Sequence, residues 1–210
     1  MKRAALGFRM HSGWGVLVAL SGDGDSVEIL ERQRIVVTDT AVAGAKQPYH
    51  HAANLGVQES ESHIAKCVVT SERLALAAIE QVVAKLKGQQ YGIVGSAMLL
   101  ASGRPLPSLA KILASHPLIH TAEGEFFRNC IKDACERLEI SVEAMREREL
   151  EERARATFGN SVSRVQHKIA TAGGAIGPPW TKDHKAAALA ALIVLSPVGT
   201  RISRSNHQAP

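Results

Sequence analysis

The segment from Ala4 to Leu20, AALGFRMHSGWGVLVAL, admits few folds. Side chains alternate across a strand, so Leu6, Phe8 and Met10 share one face of a strand over Ala4–Met10. Ala5, Gly7, Arg9 and His11 share the other face. Ser12-Gly13 then supplies a turn whose backbone needs positive φ. Trp14–Leu20 follows as a nearly continuous apolar run, the pattern of a strand covered on both faces. Such a hairpin requires other elements packed on either side of it.

The rest of the chain supplies them. Gly22-Asp23-Gly24-Asp25 is a turn signal. A third strand is predicted over 27–37, and its charged half, Glu31-Arg32-Gln33-Arg34, suits a sheet edge. Residues 38–58 read as a long connection, and a connection of that length is functional or mobile. Ile64, Cys67, Val68, Leu74, Ala78, Ile79, Val82, Val83 and Leu86 recur at helical spacing and predict a helix over 60–87. Tyr91–Leu100 reads as a buried strand, with Gly95-Ser96 marking close backbone approach. Ser102-Gly103-Arg104-Pro105 breaks the pattern. Further helices are predicted over 107–114, 118–138, 147–157, 162–172 and 182–195, and a short strand over 140–145. Gly173-Gly174 is read as the end of the helix over 162–172. The order predicts one α/β domain over 1–197: a three-stranded antiparallel meander, two parallel strands and helices on both faces. Residues 198–210 read as a disordered tail.

Composition narrows the setting. Hydrophobic residues make up 45% and charged residues 21% of the 210, which suits a globular chain. The longest apolar run, Ala186–Leu195, is shorter than the roughly 18 residues a membrane span needs. A cytoplasmic protein without a membrane partner is the expectation. Cys67, Cys130 and Cys135 lie on apolar helical stripes without CxxC spacing, so they read as buried small hydrophobes. The formal net charge of +5 permits nucleic-acid or phosphate binding without requiring it. No P-loop, GxSxG elbow or HExxH motif occurs, and no cofactor is predicted.

Two segments carry a family resemblance. Leu6-Gly7-Phe8-Arg9-Met10-His11-Ser12-Gly13-Trp14-Gly15 is similar to the first strand and turn of Holliday-junction resolvases of the RuvC type, roughly LGIDPG. His184-Lys185-Ala186-Ala187-Ala188-Leu189-Ala190 resembles their final-helix motif, H/D-x-x-D-A-L-A. The resemblance implies a ribonuclease H-like fold with a mixed five-stranded sheet. It also exposes departures. The family's first-strand Asp falls on Arg9, its fourth-strand Glu near Gly95-Ser96, and its final Asp on Ala187. Two-metal nucleases hold their ions through oxygen ligands, and an arginine at such a position repels a cation. The resemblance therefore implies a ribonuclease H-like domain lacking its metal site.

Three constellations could carry other chemistry. In the implied fold the first strand, the fourth strand and the start of the last helix meet at one cleft. Arg9, His11, Ser12, Ser96, Lys182, His184 and Lys185 would make that cleft cationic, suited to a phosphate at a helix start. Alternatively, Arg9 pairs with an acid such as Asp183 or Glu123. The second set, His116, His120 and Glu123, shares a face if one helix spans it and could then bind a metal. Otherwise Pro117 holds His116 outside the helix, and the acids only complement the helix dipole. Gly124, in the same segment, allows close packing or is a tolerated surface glycine. The third constellation, Lys46-Gln47-Pro48-Tyr49-His50-His51, could stack a base or present a histidine, or be an exposed polar loop. Arg146–Arg155 reads as a solvated helix without a binding role.

The leading expectation is a phosphate- or nucleic-acid-binding domain without two-metal nuclease activity. A hydrolase or transferase on a small anionic substrate is the rival, with His11, His120 or His184 as general acid-base and Glu123 or Glu125 orienting it. A non-catalytic assembly protein, including a homodimer, is the third reading.

Overall fold

The computed structural model describes residues 1–101 and 105–196. Most of the Ser102–Pro105 break and the tail expected over 198–210 lie outside the described residues. Five strands form one sheet: β1 (Lys2–His11), β2 (Trp14–Gly22), β3 (Val27–Val36), β4 (Tyr91–Leu100) and β5 (Val142–Arg146). Their order across the sheet is β3-β2-β1-β4-β5. The first three pair antiparallel, whereas β4 pairs parallel with both β1 and β5. This is the mixed five-stranded sheet that the hairpin and the later apolar runs predict. β3, the charged strand, stands at the edge as expected.

Seven helices are described: α1 (Pro48–Ala52), α2 (Val57–Gly88), α3 (Leu109–Leu113), α4 (His116–Arg137), α5 (Leu150–Phe158), α6 (Val162–Ala175) and α7 (Lys182–Leu195). They divide between the two faces because the strands alternate. Leu6, Phe8 and Met10 face α2 and α4, where Ile79, Val82, Phe127 and Ile131 complete one core. Ala5, Val16, Val18 and Leu99 face α5, α6 and α7 in the other. Cys67, Cys130 and Cys135 are buried as expected. Burial pushes the Cys130 thiol up to about 12 and the Cys135 thiol to about 11, so both are poor nucleophiles.

Two departures from the sequence expectation have local causes. The connection over 38–58 is not wholly irregular, because Pro48 starts the short helix α1 and α2 begins at Val57. α6 continues through Gly173-Gly174 to Ala175. The reason is contact rather than propensity: a Cβ at Gly173 would lie 1.8 Å from the Trp180 indole, so the glycine seats that ring.

α7 sets the geometry near the hairpin. A Cβ at Gly7 would lie 2.0 Å from the Ala187 carbonyl oxygen. The missing side chain on β1 and the alanine face of α7 thus let helix and strand touch backbone to backbone. That contact brings the start of α7 over the last residues of β1.

Candidate functional site

The tip of β1 presents Arg9 and His11 on the α7 side of the sheet. Arg9 Nη1 pairs with Asp183 Oδ1 in the first turn of α7. Arg9 Nη2 donates to both carboxylate oxygens of Glu147, each at 3.0 Å. Glu147 opens a 3-10 turn directly after β5. One guanidinium therefore ties the end of β1 to the start of α7 and to the exit from β5. Asp183 also meets His11, whose Nε2 lies 2.8 Å from Oδ2. The His11 ring stacks on Trp14 at 4.4 Å, and the Arg34 guanidinium sits 3.9 Å from the Trp14 ring centre. Burial, and then the charge of Arg9, hold the His11 pKa below the ordinary histidine value. The sheet positions beside Arg9 are apolar: Val16 on β2, Leu99 on β4 and, one strand further, Met145 on β5.

Arg128 of α4 pairs with Glu125 at 3.1 Å, and burial, with the charge of Arg9, lowers its pKa. Gly124 makes room for it, since a Cβ there would lie 2.9 Å from Arg128 Nη1. The helical glycine thus lies under the flexible end of an arginine side chain.

Several residues expected at the cleft lie elsewhere. Ser96 is fully buried on the α4 face, where its hydroxyl donates to the Ser141 carbonyl at 3.0 Å. The cause is a register slip: Ala4 lies beside Ile93 but Leu6 beside Ser96, so β4 carries one extra residue there. That bulge reverses the parity of the later β4 residues and turns Ser96 to the side opposite Arg9. His184 is also buried. Its Nδ1 accepts from the Thr181 hydroxyl at 2.8 Å and from the Thr181 N–H at 3.2 Å, a capping box at the start of α7. Its ring stacks on Trp180 at 5.5 Å, and burial lowers its pKa. Lys182, Lys185 and Ser12 are exposed and form no ion pair or side-chain hydrogen bond among the described residues. The cleft expected to be cationic is thus not cationic at its centre, because two carboxylates face the single charge of Arg9.

The second constellation lies on the α2–α4 side and is built differently from the expectation. Pro117 does not hold His116 out, since α4 begins at His116 and the proline occupies the first turn, where a missing N–H costs nothing. His116 and His120 share a face, with ring centres 4.4 Å apart. Glu123 does not join them as an equal. It is only 3% exposed, and its Oε1 accepts the N–H groups of Tyr49 at 2.9 Å and His50 at 3.0 Å. Gln47 offers α1 no side-chain cap, so a carboxylate from α4 serves instead. Glu123 Oε1 also lies 3.1 Å from His50 Nδ1. Burial pushes the Glu123 carboxyl above the usual carboxylate range, against those hydrogen bonds. His50 thereby arrives beside His116 and His120. Of the residues 46–51, His50 joins this cluster, while the His51 ring lies tilted against His63, with centres 4.4 Å apart.

Arg9, Ser96, Glu123 and His184 therefore do not converge. Glu147, which does pair with Arg9 at the β1 tip, sits in a stretch the sequence presents as ordinary surface, as does Arg128 of α4. Glu147 belongs to the mixed-charge run read as solvated, and nothing in that run separates it from its neighbours. Arg128 carries a faint signal, the glycine one helical turn before it.

No family model matches this chain, and no curated protein matches its sequence. Solved structures do match its fold. Thermus thermophilus RuvC in complex with a Holliday junction substrate is similar with a TM-score of 0.51 at 11% identity, over 91% of each chain. A second Thermus thermophilus RuvC structure gives a TM-score of 0.48 at 11% identity, over 90% of this chain and 92% of that one. The fold is RuvC-like and ribonuclease H-like.

Proposed function

We propose that this chain is a ribonuclease H-like domain that binds nucleic acid or another phosphate-bearing ligand and does not cleave it by the two-metal route. The observation that carries this reading is the Arg9 guanidinium lying between Asp183 and Glu147. Two-metal hydrolysis needs carboxylate oxygens free to bridge ions about 4 Å apart. The two acids at the β1 tip share the Arg9 guanidinium, which stands where a bridging ion would have to sit. The flanking positions Leu99 and Met145 offer no oxygen. These residues do not fit a pair of divalent ions. Binding is supported by the fold, which the RuvC bound to a Holliday junction shares, and by the net charge of +5.

The test is fluorescence anisotropy with a four-way junction, duplex DNA, single-stranded DNA, RNA and free nucleotides, alongside strand-scission assays with Mg²⁺ or Mn²⁺. Salt-sensitive binding that EDTA leaves unchanged, without scission, is the expected result. Absence of binding to every probe at low salt, or scission dependent on added metal, would overturn the reading.

One observation favours a second reading, a hydrolase or transferase on a small anionic substrate. His11 is hydrogen-bonded to Asp183 and one-third exposed, the arrangement of an oriented general acid-base. Turnover of simple phosphate esters by the wild type, lost in His11→Ala, would decide for it.

A further inference from the structure

His50, His116 and His120 form a cluster apart from the β1 tip, and one nitrogen from each lies within 4.8 Å of the others. The ring centres are 4.7 Å apart for His50 and His120, 5.5 Å for His50 and His116, and 4.4 Å for His116 and His120. The planes cross at 64° to 85°, so the imidazoles are edge-on instead of stacked. Edge-on rings can turn ring nitrogens toward a common point, which stacked rings cannot.

Behind them stands a carboxylate. Glu123 Oε1 lies against His50 Nδ1, so Nδ1 carries the proton and the Nε2 lone pair is left free to ligate. Histidines that bind metals are held in this way, by a carboxylate or carbonyl on the second nitrogen. Glu123 is buried, and its Oε2 has no hydrogen-bond partner among the described residues. No lysine or arginine pairs with it among those residues; its ion-pair contact is His50. A buried carboxylate held by two backbone N–H groups and one imidazole, with no lysine or arginine beside it, is stabilised when positive charge arrives by way of that ring.

We propose that His50, His116 and His120 bind a divalent transition-metal ion of the zinc type, with Glu123 as the carboxylate that orients His50 and a fourth position open to solvent. Imidazole nitrogen suits zinc, cobalt, nickel and copper, and does not suit magnesium or calcium. At a metal–nitrogen distance of about 2.0–2.1 Å, tetrahedral ligand nitrogens stand about 3.4 Å apart. His116 and His120 are exposed and can close the remaining gap by side-chain rotation. The site is independent of the Arg9 cluster, and it holds whether or not the chain binds nucleic acid.

Titration calorimetry with Zn²⁺ and visible absorption with Co²⁺ test it on the intact chain. The wild type should bind one equivalent of Zn²⁺ and give Co²⁺ the intense bands of a four-coordinate ion. His116→Ala and His120→Ala should each weaken Zn²⁺ binding at least tenfold. Glu123→Gln should weaken it by about 10- to 100-fold, the usual effect of losing such a partner. His63→Ala, beside the separate His51–His63 pair, should leave it unchanged. Thermal melts of the metal-free variants, and a His116→Gln/His120→Gln variant that keeps the polar surface, separate lost ligands from lost structure. No binding of either ion by the wild type, or unchanged binding in the double variant with a wild-type melt, would overturn the assignment. So would loss of binding in His63→Ala.

Discussion

Arg9 holds two carboxylates that belong to different elements, and its removal leaves Asp183 and Glu147 without that counter-charge. These pairs are partly buried, between the weak surface case and the costly interior case. Arg9→Ala is therefore expected to lower stability by about 1–3 kcal/mol in urea denaturation. Arg9→Lys should recover only part of that, because an ammonium cannot fork between two acids. His184 makes a separate prediction through pH. Burial lowers its folded-state pKa, with Arg32 acting in the same direction, so below about pH 6.5 the unfolded chain binds a proton that the folded chain resists. Stability is fully present above that pH and falls as the pH drops toward the folded-state value. The thermal midpoint should fall on acidification through this window. His184→Gln, which keeps the capping contact at its helix position, should flatten the fall. His11 and His63 are shifted in the same direction and should supply the slope that remains.

Among the elements, α7 and β1 depend on each other most directly. Gly7→Ala would place a methyl group against the Ala187 carbonyl, a backbone atom that cannot swing aside. A loss of about 3 kcal/mol or more is expected, measured by the denaturant midpoint, since overpacking costs most where no side chain can yield. The strands and long helices were legible because each rests on periodicity: alternation in β1, a continuous apolar run in β2, helical spacing in α2. Ser96 was not legible in the same way. One extra residue near Gly95 reverses the face of everything after it, and alternation read from sequence carries no record of where a strand bulges. The partnerships of Glu147 and His50 were hidden for another reason. Their partners lie 138 and 73 residues away in sequence, so no local spacing announces them. Arg9 itself was legible, because a charge on a face otherwise given to close helix packing needs a partner.

At the scale of the whole molecule, charge and topology pull the functional reading the same way. The centre of the β1 tip sets two carboxylates against one arginine and has no positive charge to spare, so attraction for a polyanion must come from the surrounding lysines and arginines. Such binding should weaken by about tenfold or more between about 50 and 200 mM salt, as displaced counterions return. A response flat in salt would mean that phosphate contacts do not drive it. On the α2–α4 side, the molecule extends beyond the sheet. α2 runs for 32 residues, about 48 Å, and outreaches the ten-residue strands beneath it. α1, α3 and the start of α4 gather there around a small core of Ile112, Ile119 and Ala122. The carboxylate of Glu123 accepts the first free amides of α1 from within α4, and this has a kinetic meaning. A five-residue helix has too few internal bonds to persist by itself. Here its amides are latched by a residue whose own helix is packed into the main core. The opening of α1 is then coupled to that of α4. The Tyr49 and His50 amides should therefore exchange with solvent together with the α4 segment that carries Glu123, two segments remote in sequence opening as one unit.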